Sequence, residues 1–75
     1  MNVKKNENWL FSLSEETQRG FITAYVIDSH GSIVLQLNNK QKEKGIQIPQ
    51  DDMYQVKVTG EDFSGKFFLS YKQKS

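Results

Sequence analysis

Asp28, Ser29 and His30 are consecutive in this chain and carry the three side-chain types of a serine hydrolase triad. A triad joins nucleophile, base and orienting carboxylate through a directed chain of hydrogen bonds, usually from separated positions. Three neighbours in a tight turn point in divergent directions, so the sequence favours a turn here over a nucleophile. His30 is the one histidine, and there is no cysteine. Zinc centres draw several ligands from those two types, so no zinc set is expected. Carboxylates alone suit a hard cation such as calcium, and Asp51-Asp52 and Glu61-Asp62 are the acidic pairs near turns. Aspartate also bonds its own backbone in turns, which accounts for such pairs without a metal. Gly60-Glu61-Asp62-Phe63-Ser64-Gly65 has glycines at both ends, yet lacks the Gly-Lys-Ser/Thr ending and helix N-terminus that cradle phosphate. These residues predict a chain that is not an enzyme and holds no metal or cofactor.

The elements that would position them read as strands. Tyr54-Gln55-Val56-Lys57-Val58 alternates apolar and polar residues with period two, which buries one face of a strand and wets the other. Trp9, Phe11 and Leu13 share one face of a first strand, followed by a polar connection from Ser14 to Gly20. Phe21 to Asp28, rich in aromatic and β-branched residues, predicts a second strand. Asp28 to Gly31 is a turn, in which Gly31 supplies a positive φ, and Ser32 to Leu37 returns as the third strand of a hairpin. A lysine-rich loop over 38–45 leads to a short fourth strand, ended by Pro49, which has no amide proton to donate. Met53 to Thr59, the Gly60–Gly65 turn and Lys66 to Lys72 complete the pattern. Six short strands between turn signals predict an all-β fold, a six-stranded antiparallel β-sandwich or partly open barrel. Its domain spans 8–73, behind a disordered segment at 1–7 that has few apolar anchors.

Seventy-five residues form a single small domain. At that size roughly 60% of the unfolded chain's surface can be buried, so the core is thin. Ten basic residues against nine acidic ones leave the chain nearly neutral, without the basic footprint of a nucleic-acid binder. Lysines do gather at Lys40, Lys42 and Lys44, and at Lys72 and Lys74, where solvated loops and termini explain them. No apolar run approaches the roughly 18 residues of a membrane span, and the charged start lacks the apolar stretch of a signal peptide. The chain is therefore either cytoplasmic as written or a mature domain that has lost a leader.

Strand two has no polar face. With Ile22, Ala24 and Val26 inward, Phe21, Tyr25 and Ile27 face out; the opposite choice exposes the aliphatic row instead. The first choice makes Phe21, Tyr25, Ile27, Val34 and Phe68 a candidate binding patch. Strands two and three carry no lysine or arginine to accompany aromatic stacking on bases, which disfavours nucleic acid.

The stretch Ile46 to Tyr71 combines Pro49, Tyr54-Gln55-Val56-Lys57-Val58, Gly60, Phe63, Gly65, Phe67 and Leu69. With Gly20, Ile22, Ala24, Val26, Asp28 and Gly31, it resembles the small sandwich modules of bacterial secreted proteins and lipoproteins, notably the pre-peptidase C-terminal type. The resemblance implies an extracellular or cell-surface accessory domain that binds protein, carbohydrate or cell wall. This chain is shorter than usual for the type, and a missing strand would leave an edge free for a partner or a second copy. The expected function is a noncatalytic binding module that contacts a protein or glycan through an aromatic sheet face, with homodimerisation as one form of contact. The alternative is a small cytoplasmic regulatory or nucleic-acid-binding protein using Lys40, Lys42 and Lys44.

Overall fold

The computed structural model describes residues 1–74, which form six strands and no helix. These are β1 (Asn2–Val3), β2 (Asn8–Ile27), β3 (Ile33–Asn38), β4 (Glu43–Gln47), β5 (Asp52–Met53) and β6 (Gln55–Lys74). Every pairing is antiparallel. β2 is the centre of a four-stranded sheet. β6 follows one edge of β2 from end to end, while β4 takes the first half of the other edge and β3 the second. β1 and β5 make a separate two-stranded sheet.

β2 and β6 hold 20 residues each. A straight strand of that length would run roughly 66 Å, whereas the molecule's longest dimension is 38 Å. The pair must curl, and the burial pattern shows where. Phe11 and Leu13 are buried at odd positions, but Ile22, Ala24 and Val26 at even ones. Strand faces alternate strictly, so one residue must be inserted between the two runs. β2 carries the extra residue between Thr17 and Arg19, and β6 carries one of its own opposite Arg19 to Phe21. The insertions cancel, so Asn8 faces Lys74 and Ile27 faces Gln55 in one unchanged register. Both strands therefore bend together, and both halves feed one core in which Val3, Phe11, Ile22, Val26, Leu37 and Ile48 are less than 2% exposed.

The backbone at the bend is adapted to it. Gly20, Asp62 and Gly65 have φ of 80°, 49° and 145°. A β-carbon at Gly20 would collide with the carbonyl oxygens of Glu61 and Asp62, and one at Gly65 with that of Glu16. The predicted strands from Trp9 and from Phe21 are thus a single strand, and Lys66–Lys72 continues the strand that starts at Gln55. Ser14–Gly20, expected as a connection, and Gly60–Gly65, expected as a turn, are strand backbone that carries the bulges.

Packing explains why this stretch reads as a loop. Its inward side is filled by a polar knot instead of apolar side chains. The Thr17 hydroxyl donates to Glu15, Asn39 Nδ2 donates to Thr17 Oγ1 (2.9 Å), and the Lys42 ammonium sits 3.1 Å from Glu15 Oε1. Asn39 Oδ1 also accepts from the Ile22 N–H (2.9 Å), which lies beyond the end of the β3 ladder.

Residues 1–7, expected to be disordered, are tied to the fold. Val3 is buried, the Tyr54 N–H donates to the Met1 carbonyl (2.9 Å), and the Asn6 N–H donates to the Ile48 carbonyl (2.8 Å). The anchor is one aliphatic residue plus backbone hydrogen bonds, which leave little trace in a side-chain pattern.

Candidate functional site

The β2–β3 hairpin closes with the turn expected from Asp28 to Gly31. The Gly31 N–H donates to the Asp28 carbonyl (3.1 Å) at φ 85°, and Asp28 Oδ1 accepts from the N–H groups of His30 and Ser32, each at 2.9 Å. β5 delivers Asp52 to this turn, so that one donor atom from each of Asp28, His30 and Asp52 lies within 4.8 Å of the others. The neighbouring Ser29 hydroxyl, then the Met53 N–H, and the nearby His30 hold the Asp52 carboxyl below its ordinary value. The group clasps the hairpin to β5. Two carboxylates and an imidazole also form a donor set suited to a divalent cation. Among the described residues this is the one such convergence. Asp51, the sequence neighbour of Asp52, instead accepts from the Lys5 N–H at 2.8 Å.

Three of the five predicted patch residues come together. Ile22, Ala24 and Val26 are the buried row, which puts Phe21, Tyr25 and Ile27 on the outer face of the second half of β2. Phe21 is 63% exposed; Tyr25 and Ile27 are half-buried. Val34 is the extra residue at the irregularity opposite Val26 and Ile27, and it packs against the core. Phe68 is 69% exposed but lies opposite Ser14, on the outer face of the other half of the sheet. Of the three loop lysines, Lys42 is engaged by Glu15, while Lys40 and Lys44 are exposed.

β6 offers a surface that the sequence did not single out. It has one neighbour, β2, and among the described residues no strand lies along its other edge. Opposed residues of an antiparallel pair share a face. Val56 opposes Val26, Val58 opposes Ala24, Leu69 opposes Leu13 and Tyr71 opposes Phe11, so β6 continues the core row of β2. On β2 that row is covered; on β6 Phe67 and Tyr71 are each 48% exposed. The Tyr71 ring packs on Phe11 and Trp9, with centroids 5.9 and 5.8 Å away, and Phe67 meets Phe63 at 6.3 Å. Met1, Tyr54, Val56 and Tyr71 line a common hollow, which brings the two ends of β6 to the same side of the molecule. Burial pushes the Tyr54 hydroxyl above its ordinary value, with the charges of Asp52 and Asp28 adding to the effect. The alternation of Phe67, Leu69 and Tyr71 is plain in the sequence, but it looks the same on a covered strand and on an edge strand.

No family model, curated protein or solved structure matches this chain. Among the described residues no helix is long and apolar enough to cross a membrane.

Proposed function

We propose that this chain is a noncatalytic binding module built as a partly open antiparallel barrel, with its gap along β6, and that its partner is a protein that closes the gap. The supporting observation is the exposed continuation of the core row on a strand with one free edge: Phe67, Leu69 and Tyr71 extend the row of Phe11 and Leu13. Exposed apolar surface of this kind marks interaction sites. A protein fits better than a glycan, because a free strand edge offers backbone N–H and C=O groups that another backbone satisfies as a ladder.

Site-specific photo-crosslinking tests this reading. A benzophenone side chain replacing Tyr71 should give a discrete protein adduct in extracts of the source cells, and excess unlabelled protein should compete it away. The same probe replacing Phe21 should give none. Adducts through the Phe21 position alone, or through neither position, would count against the β6 surface.

A further inference from the structure

The free edge of β6 differs in charge from the rest of the molecule. From Phe63 to Lys74 it carries Lys66, Lys72 and Lys74 and no acidic residue. The remainder of the chain then holds seven basic residues (ten less these three) against nine acidic ones. Lys72 and Lys74 lie opposite the uncharged Leu10 and Asn8, while Lys66 lies opposite Glu16. None of the three forms an ion pair among the described residues, where the one pair is Lys42–Glu15. The lysines fall on even positions, with Phe68 and Ser70 between Lys66 and Lys72, and Phe67, Leu69 and Tyr71 on odd ones, so the edge presents an outer row carrying three lysines and an apolar inner row.

We propose that the edge of β6 from Lys66 to Lys74 takes an extended acidic peptide segment of a partner protein as an added strand. This rests on the binding-module reading and names its ligand. Alternate apolar side chains of the segment cover Phe67, Leu69 and Tyr71, and the intervening Asp or Glu side chains lie beside Lys66 and Lys72. Backbone hydrogen bonds supply the common part of such binding, and the cross-strand pairs select the sequence. A second copy fits less well. The antiparallel register that overlays the apolar rows is centred on Leu69, and it sets Lys66 against Lys72. Like charges directly opposed are destabilising, and edge lysines are a common device against self-pairing.

The test uses the full chain and three capped seven-residue peptides. One alternates glutamate with valine, one alternates lysine with valine, and one has the glutamates and valines in separate blocks. Trp9 is the one tryptophan and touches Tyr71, so its fluorescence follows binding while NMR amide exchange locates the peptide. The alternating glutamate peptide should bind saturably, more weakly at higher salt, and slow exchange within 66–74. Lys66→Glu with Lys72→Glu should weaken it about tenfold and bring in the lysine peptide instead. Both lysines are exposed; should the double variant lose cooperative unfolding, Lys72→Glu alone carries the comparison. Equal binding of all three peptides, or protection on β3 or β4 instead, overturns the proposal. Dimerisation of the free chain with protection over 66–74 also overturns it, yet leaves a binding module whose ligand is a second copy. Absence of both peptide and self-association at β6, together with no adduct at position 71, removes both readings.

Discussion

Asp52 sits where a turn and a distant strand are joined, and its ionisation records that contact. The Ser29 hydroxyl and then the Met53 N–H stabilise its charged form, lowering its pKa from the ordinary 3.8. A carboxylate depressed in the folded state adds stability that is present above the unfolded value and lost as pH falls through the folded one. Unfolding by denaturant at successive pH values from 7 to 3 should therefore show a loss that Asp52→Asn reduces, because that variant lacks the contribution at the outset. An unchanged acid limb in the variant would place the linkage elsewhere. Tyr54 acts in the opposite sense. Its raised pKa favours the protonated form in the fold, so stability declines as pH climbs above the ordinary value of 10. The Asp28–Gly31 half of the clasp could be read from sequence, since aspartate before glycine is local turn chemistry. Asp52 could not, because its approach depends on where β5 lies, and no short-range signal reports that.

At the level of elements, the bend in the β2–β6 pair organises the molecule. It depends on two compensating insertions and on glycines that no other residue replaces at equal cost. Gly31→Ala meets open space and bears only the positive-φ penalty, roughly 1–2 kcal/mol. Gly20→Ala and Gly65→Ala bear that penalty and also press a β-carbon against carbonyl oxygens. Urea titrations should rank both as more destabilising than Gly31→Ala; equal costs would mean the bend relaxes easily. The same bend hid the element boundaries. Ser14 to Gly20 lost its apolar alternation because Glu15 and Thr17 meet Asn39 and Lys42 instead of a hydrophobic layer. A polar strand of this kind is indistinguishable from a loop until its cross-strand partners are known.

For the whole molecule, one thin core has to hold two sheet halves and an N-terminal strand. Domains of this kind keep about 5–15 kcal/mol of net stability. Phe11 is fully buried, and Phe11→Ala should cost about 3–5 kcal/mol, a large share of that reserve. Phe21→Ser with Tyr25→Ser alters the outer face and should retain a cooperative thermal transition by circular dichroism. Loss of that transition would show the outer face to be structural. The sequence by itself determined the all-β class, the 28–31 hairpin and the apolar alternation along the strands, while leaving open which row of strand two faces inward, because side-chain alternation and turn chemistry act over a few residues. Only the tertiary structure decided that pairs of predicted strands are continuous, that Phe68 and Val34 do not share the face of Phe21, and that β6 is left as an open edge. Those outcomes depend on which backbones pair and where one inserted residue reverses the faces, and side-chain periodicity does not encode either.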